Sequence, residues 1–264
     1  MSYNIAHIEK YIHSFPGTAA MIIEFDQQNV LSINANHLFP AASLVKLLVA
    51  DYIQSVMSDQ LQNLVAIEAI DFGPDNVSKM HQLKHFGAGI LDLIVEVGER
   101  LTVQRLIILM LTLSDNWAAN ALIRYFGLEN IDAFVHQYYS DTHLRRQFMV
   151  HSFQDNETTA FDCLLMMQRV IKNDNMRYIL SRQQSQYKLP GAFVELTSNN
   201  KLPLSIYNKT GEGDEVDHDA MIVDYGTHRL TVILLTKSFE SDRVNRLTLF
   251  NQVSQKILKN FPMS

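Results

Sequence analysis

Several features that would indicate other classes of protein are missing from this sequence. The single cysteine, Cys163, excludes an internal disulfide, and its apolar neighbours indicate packing in a core. The histidines form no His-Glu-x-x-His pattern and no paired Cys/His spacing, so a metal site is not expected. No run of eighteen apolar residues exists, so the sequence predicts no membrane span. The net charge of −6 argues against a nucleic-acid backbone as a partner.

The first ten residues also lack the apolar core of a secretory signal. The sequence as numbered therefore predicts a cytoplasmic protein, or an extracellular one if an export signal was removed. The chain has 264 residues, of which 47% are apolar and 19% charged, a composition typical of an ordinary globular protein. This length suits one large domain or two interleaved smaller ones, and the oligomeric state stays open.

The stretch 39–50 is the first candidate for chemistry. It runs from a proline turn into an almost uninterrupted apolar segment, which predicts the start of a helix buried on all sides. Ser43 falls in the first turn, where backbone N–H groups are unpaired and the helix dipole is positive. Lys46 follows on the same face, and burial should lower its pKa so that it accepts a proton. The pair predicts an activated serine nucleophile.

Other interpretations of this pair stay open at this point. Ser43 is also a suitable helix N-cap, and Lys46 could extend its amine to the surface. The Ser-x-x-Lys pattern is common enough to occur twice more, at Ser185/Lys188 and at Ser198/Lys201. Those copies have polar surroundings and no apolar helix behind them, so only the first copy has the buried context that the chemistry needs.

The order of the predicted elements indicates an α/β fold whose sheet is built from both ends of the chain. Strands are predicted at 18–25, 30–33, 204–210, 220–225 and 230–236, and helices at 5–15, 61–70, 103–113, 117–125, 160–172 and 241–261. The simplest assembly is one antiparallel sheet with the two terminal helices on one face. Residues 1–42 and 203–264 would form this sheet lobe and 43–202 a mostly helical lobe, with the active site in the cleft between them.

Two further triplets fall where this architecture would bring them to the cleft. Ser114-Asp115-Asn116 separates two predicted helices, and Lys209-Thr210-Gly211 ends a predicted strand. Each has an ordinary alternative, because Ser114 or Asp115 is a good N-cap and Lys-Thr-Gly can simply lead into a turn. Each triplet occurs once, and the ordered set Ser-x-x-Lys, Ser-Asp-Asn, Lys-Thr-Gly is much rarer by chance than any single match.

This ordered set resembles the motifs of the class A β-lactamases and penicillin-binding proteins. Segments 39–46 and 98–120 are similar to the corresponding class A segments nearly residue for residue, and the similarity covers most of the chain. The resemblance implies the β-lactamase-like fold, acyl transfer through a serine ester to or from a small-molecule substrate, and no cofactor. Ser43 would be the nucleophile, Lys46 its proton acceptor, and Ser114 a proton relay to the leaving nitrogen.

The resemblance also implies which residues bind the substrate. Asn116 would hold the side-chain amide of the substrate, and Lys209 and Thr210 would bind its carboxylate, with Gly211 completing that motif. Lys209 would also lower the pKa of other groups in the cleft. The oxyanion would be bound by backbone N–H groups, namely those of Ser43 and Glu212.

The sequence departs from the family pattern in the loop that supplies the deacylating base. Class A enzymes carry a glutamate there, within an Arg-x-Glu-x-x-Leu-Asn pattern, whereas the matching stretch 144–151 has no carboxylate and the loop is shorter. The nearest acids are Asp155 and Glu157, and Glu157 is predicted to open the next helix instead. Asn120, which contacts that glutamate in the family, is retained. Val150 or a neighbour is therefore expected to occupy the position that the glutamate has in the family.

Three other positions also depart from the pattern. Trp117 replaces a small residue, and it either narrows the cleft or packs against the core. Glu212 also replaces a small residue and brings negative charge beside a carboxylate-binding site. The usual substrate-binding arginine is missing from the next strand, where Asp217-His218-Asp219 stands near its place.

Three functions are therefore compatible with the sequence. The first, which the retained motif residues favour, is a serine hydrolase that opens β-lactams or a related amide or ester, with weak β-lactam turnover. The second is a peptidase or esterase on the same scaffold, although a cytoplasmic location would argue against a peptidoglycan substrate. The third is a non-catalytic protein that binds penicillin or a partner, which the missing glutamate favours.

Overall fold

The computed structural model describes residues 5–70, 88–150, 152–198 and 203–261. Helices α1 to α10 are Ala6–Ser14, Lys46–Val56, Leu91–Ile94, Val103–Thr112, Asn116–Phe126, Leu128–Tyr138, Ala160–Val170, Asp174–Leu180, Gly191–Ser198 and Arg243–Asn260. Strands β1 to β9 are Thr18–Phe25, Gln28–Ile33, Phe39–Pro40, Leu64–Ala66, Arg100–Thr102, Glu157–Thr158, Leu204–Glu212, Val216–Tyr225 and His228–Lys237. Short 3-10 helices lie at Ala42–Val45, Ser58–Gln60 and Glu240–Asp242.

Five strands form one antiparallel sheet in the order β2-β1-β9-β8-β7, so the prediction that both ends of the chain share a sheet is confirmed. β1 pairs with β9 over its whole length, from Thr18 opposite Lys237 to Phe25 opposite Leu230. β7 is an edge strand, and it lies beside the 3-10 turn Ala42–Val45. The sheet therefore brings the Lys-Thr-Gly end of β7 next to Ser43.

Apolar side chains cover both faces of the sheet. Successive residues of β1 point to opposite faces, so Met21 and Ile23 pack in one hydrophobic cluster while Ile22 packs in the other. The first cluster includes α1, α9 and α10, for example through Phe250, and the second includes α2 and most of the middle helices. The fold is therefore α/β, with an antiparallel sheet between the terminal helices and the helical part of the chain.

Two predictions about local structure are wrong. The stretch 61–70 contains no helix; β4 pairs there with β5, so that Leu64 lies opposite Thr102, and alternation buries Val65 but leaves Leu64 exposed. Glu157 does not open the following helix, because it lies in β6, which pairs with β3. The N-cap of α7 is Thr159, whose hydroxyl accepts the backbone N–H of Asp162 at 3.1 Å.

Cys163 lies fully buried on α7, and burial raises the pKa of its thiol to about 12. The thiol is therefore unreactive near neutral pH and serves core packing. Over the described ranges, no helix has the length and apolar character needed to cross a bilayer. The same ranges contain no group of three His, Cys, Asp or Glu side chains that could hold a metal ion.

Candidate active site

Ser43 lies in the 3-10 turn that leads into α2. The turn spans Ala42–Val45, Ala42 has a left-handed φ of 45°, and regular α-helix begins at Lys46. Leu44, Val45 and the first residues of α2 are fully buried, as the apolar run predicts, which fixes the direction of the helix axis. Ser43 itself borders a cavity, so its hydroxyl is presented to the cleft from a rigid helix start.

The Lys46 amine is fully buried and surrounded by oxygen atoms. Its Nζ lies 3.0 Å from Ser43 Oγ, 2.7 Å from Asn116 Oδ1 and 3.2 Å from Ser114 Oγ, and it also contacts the Ser114 carbonyl oxygen. The structure therefore brings the first Ser-x-x-Lys pattern together with Ser-Asp-Asn. Lys46 does not extend to the surface, so that alternative is excluded.

Burial, followed by the nearby charge of Lys209, holds the pKa of Lys46 well below its ordinary value. A neutral amine has two N–H donors and one lone pair. The Ser114 carbonyl oxygen and Asn116 Oδ1 can only accept, so they take the two N–H groups. The lone pair is then left for the Ser43 hydroxyl, which can donate its proton to Lys46 across 3.0 Å.

Ser114 connects the two lysines of the cleft. Its Oγ lies 2.9 Å from Lys209 Nζ and 3.2 Å from Lys46 Nζ. The residue has a left-handed φ of 57°, which is strained for a side chain other than glycine and directs its carbonyl oxygen to Lys46. Asp115 is the N-cap of α5, since its carboxylate accepts the N–H of Ala118 at 2.9 Å. The Ser114 side chain is therefore not used as a helix cap, and it contacts the two lysines of the cleft instead.

Hydrogen bonding along β7 decides which of its backbone groups face the cleft. The Gly213 N–H donates to the Val216 oxygen at 3.0 Å, and the pairing with β8 continues without a shift in register. Bonded pairs in an antiparallel ladder recur every second residue, so Gly211 and His218 form the next one. The N–H groups of Thr210 and Glu212 therefore point away from β8, towards the cleft.

Gly211 is needed for the close approach of β7 to the Ser43 turn. A Cβ at this position would lie 3.3 Å from the Ala41 oxygen and 3.3 Å from Leu44 Cγ, which is tighter than ordinary contact. Beside it, Lys209 is fully buried, and burial lowers the pKa of its amine to about 7. Lys209 is therefore partly charged near neutral pH.

Glu212 directs its carboxylate to three donors that the sequence did not indicate. Its Oε1 accepts the Tyr187 hydroxyl at 2.6 Å and lies 3.4 Å from Lys188 Nζ, and its Oε2 lies 3.3 Å from Arg243. The negative charge beside the predicted carboxylate site is thus compensated. Arg243 begins α10 and borders the cleft, so an arginine is present there, although not on the strand where the family carries it.

Phe148 is the residue of the loop 144–157 whose ring lies against the Lys46 amine. Its ring centre lies 4.4 Å from Lys46 Nζ, and the side chain is 7% exposed. The Asn120 side chain holds the Phe148 backbone from both sides, accepting its N–H at 2.7 Å and donating to its carbonyl at 2.9 Å. Of the stretch 144–151, the described residues contain no carboxylate, and His151 lies outside them.

The two nearest acids of this loop are held in ion pairs with arginines. Asp155 Oδ1 accepts from Arg146 Nε at 3.0 Å and from Arg146 Nη2 at 2.6 Å, and Glu157 pairs with Arg145. Asp155 borders the cleft, but its Oδ1 already accepts hydrogen bonds from Arg146. Neither arrangement is that of a carboxylate poised to take a proton from water.

The other departures from the motif pattern lie outside the cleft. Trp117 is partly buried against the helical core and does not line the cavities beside Ser43, so it packs. Asp217 is buried and pairs with Arg246, while His218 is buried with its Nε2 2.8 Å from the Pro40 oxygen. Of the two polar Ser-x-x-Lys copies, Lys188 is buried, and Lys201 lies outside the described residues.

Two adjoining cavities of about 580 and 450 Å³ make up the cleft. Both are lined by Ser43, Asn116 and Glu212; the larger also reaches Phe148, and the smaller reaches Ser114 and Thr210. A small molecule placed there would contact the predicted nucleophile and both remaining motifs. The residues that sequence reasoning missed, Phe148 and Arg243 among them, carry no motif of their own and are identified only by position.

Comparisons with known proteins agree with this fold. A family model described as the Beta-lactamase enzyme family matches residues 5–261. A β-lactamase from Sphaerobacter thermophilus superposes with a TM-score of 0.78 at 20% identity, over 98% of this chain and 97% of that one. PBP-A gives 0.76 at 20% identity over 96% and 93%, and an acyl-enzyme complex of a PBP-A mutant with penicillin G gives 0.75 at 21% over 96% and 94%. A search of curated proteins found no match.

Proposed function

Because this chain belongs to the β-lactamase enzyme family, we propose that it is a serine hydrolase that forms an acyl-enzyme on Ser43. One observation carries the proposal: the buried Lys46 amine lies 3.0 Å from Ser43 Oγ, with its N–H groups engaged by acceptors that cannot donate. This arrangement suits a neutral base and a serine nucleophile. The acyl-enzyme of the PBP-A mutant, which has a similar fold, supports the same class of chemistry.

Acylation would proceed by attack of Ser43 Oγ on the carbonyl carbon of an amide or ester, with the hydroxyl proton passing to Lys46. The negative charge that develops on the carbonyl oxygen would be bound by the N–H groups of Ser43 and Glu212. As the bond to the leaving group breaks, the proton would travel from Lys46 through Ser114, whose Oγ is 3.2 Å from Lys46 Nζ, to the departing atom. Ser43, Lys46 and Ser114 are the proposed catalytic residues.

Substrate binding would use the remaining motif residues. Asn116 borders both cavities and is proposed to hold an amide of the acyl group. Lys209 and Thr210 would bind a carboxylate of the substrate, with Gly211 allowing β7 to come close enough. The compensated charge of Glu212 is compatible with an anionic substrate, because Tyr187 and Arg243 hold its carboxylate.

Deacylation of a β-lactam adduct would be slow. Hydrolysis needs a water aimed at the ester carbonyl and a base near it, and Phe148 places an apolar ring beside Lys46 where such a water would stand. Asp155 and Glu157 are bound to arginines. An opened β-lactam ring stays attached and blocks other approaches, whereas a small ester loses its leaving group and lets Lys46 activate water. Short esters are therefore expected to turn over more readily, which makes an esterase or peptidase the second candidate.

The experiment is intact-mass analysis after incubation with a panel of penicillins and activated esters. The wild-type protein is expected to gain the mass of one acyl group, and Ser43→Ala is expected to gain none. Nitrocefin should give a stopped-flow burst of about one equivalent followed by a slow phase, because deacylation limits turnover. An adduct that persists in Ser43→Ala would move the nucleophile elsewhere, and no adduct with any compound would favour a non-catalytic function.

A further inference from the structure

Lys188 is a buried charged residue that the proposed chemistry does not use. It belongs to one of the two Ser-x-x-Lys copies that lie in polar sequence, yet its side chain is only 1% exposed. Its Nζ lies 3.0 Å from Asp217 Oδ1 and 3.3 Å from the carbonyl oxygens of both Gly211 and His218. The amine thus donates to two backbone oxygens at the point where β7 and β8 pair, and it forms an ion pair with one carboxylate.

One of those two carbonyl groups belongs to the peptide that faces the proposed oxyanion. Gly211 and His218 form a bonded pair of the β7–β8 ladder, so the Gly211 carbonyl points towards β8. The other end of the same peptide group is the Glu212 N–H, which points to the cleft. A charged donor on the carbonyl oxygen restrains the plane of the peptide and polarises it, so that its N–H becomes a stronger donor.

We propose that Lys188 is a positioning residue for the oxyanion site: it holds and polarises the Gly211–Glu212 peptide from behind. It touches no substrate and acts only through this peptide. The inference rests on the proposed acylation of Ser43, and it adds a residue that the motifs do not contain.

The charges around Lys188 fit this role. Asp217 is shared with Arg246, whose Nε lies 2.8 Å from the second carboxylate oxygen, so Lys188 is not the sole partner of that acid. The Glu212 carboxylate, which would oppose a negative charge at its own N–H, lies 3.4 Å from Lys188 Nζ. Lys188 therefore places positive charge behind the oxyanion donor and offsets the acid nearest to it.

The experiment compares Lys188→Met with wild type in two measurements on the Ser43 adduct. The acylation rate constant is expected to fall about tenfold, a part of the loss seen when an oxyanion donor is removed entirely, while the dissociation constant of the initial complex stays the same. In the infrared spectrum of the acyl-enzyme, the ester carbonyl band is expected to move to higher wavenumber, because its hydrogen bond weakens. A residue that only braced the fold would not shift this band.

Asp217→Asn is the matched control, because it alters the same buried cluster but leaves Lys188 in contact with Gly211. It is expected to lower stability without moving the carbonyl band. Equal shifts in both variants would overturn the proposal, and so would an unchanged band and rate in Lys188→Met. If that variant does not fold, Lys188→Gln decides, since it keeps an N–H donor and loses the charge; a wild-type band there would also overturn it. Absence of any adduct in wild type would instead refute acylation itself.

Discussion

Replacing Phe148 by alanine is expected to shorten the lifetime of the acyl-enzyme. The ring centre is 4.4 Å from Lys46 Nζ and the side chain is 7% exposed, so its removal opens space for water at that amine. Such a water would lie within hydrogen-bond reach of a group whose pKa burial holds low, and Lys46 could then take its proton. General-base assistance by a positioned side chain usually raises a reaction rate roughly 10²–10⁴-fold. The water admitted by the alanine is not aligned, so the deacylation rate is expected to rise only about 10- to 100-fold.

The truncation also has a cost in stability. Loss of a buried phenyl group usually costs about 3–5 kcal/mol, and the lower end is expected because Phe148 borders the cleft. Phe148→Leu is the matched control, since a leucine keeps the space apolar and should leave the adduct nearly as long-lived as in wild type. Urea unfolding of both variants establishes that each is folded at the assay temperature.

The assay follows the decay of a purified penicillin adduct by intact mass after excess compound is removed. The expected order of deacylation rates is Phe148→Ala well above Phe148→Leu, with Phe148→Leu close to wild type. Equal rates in all three proteins would show that the ring does not exclude the hydrolytic water. Fast decay in wild type that is abolished by Asp155→Asn would show instead that the loop acid acts as a base despite its pairing with Arg146.

Three other predictions follow from the same structure. Lys46→Ala should slow acylation roughly a hundredfold, measured as the burst rate with nitrocefin, and a near-normal burst would leave Lys46 only a structural role. Because the pKa of Lys209 is about 7, its amine is charged below that pH and neutral above it. The affinity for carboxylate-bearing substrates should therefore fall as pH rises through about 7, whereas that for neutral esters should not. Arg169→Met should lower the free energy of unfolding by about 2 kcal/mol, discounted for its partial exposure, because the fully buried Asp51 loses a partner at 2.7 Å; an unchanged urea midpoint would contradict this.

The strands of the sheet and the three sequence motifs could be identified from sequence because their signals are local. The strand at 18–25 has the same bounds in the structure, and the helix predicted at 103–113 is observed over Val103–Thr112. Helix α6 was not predicted because its N-cap is Gly127, which offers no side-chain cap, and α8 because it is only seven residues long. At 61–70, pairing with β5 overrides an apolar pattern that also suits a helix.

The identity of the side chain beside Lys46 could not be predicted in the same way. The sequence shows that a carboxylate is missing, but the position of Phe148 depends on Asn120, which lies on α5 and binds the Phe148 backbone. The partners of Glu212 likewise come from distant segments: Tyr187 precedes α9 and Arg243 begins α10. Contacts of this kind leave no periodic pattern in either segment.

The pairing of β1 with β9 has a consequence for the order in which the candidate site is assembled during synthesis. The segment with Ser43 and Lys46 is synthesised soon after β1, whereas β9 is made only after the whole helical part of the chain. Until β9 is made, β1 has one unpaired edge and two apolar faces, and such a strand is prone to aggregation. β7, which brings Gly211 and Glu212 beside Ser43, is likewise made after the helical part of the chain. A nascent chain therefore carries Ser43 and Lys46 throughout the synthesis of the helical part before Gly211 and Glu212 can be placed beside them.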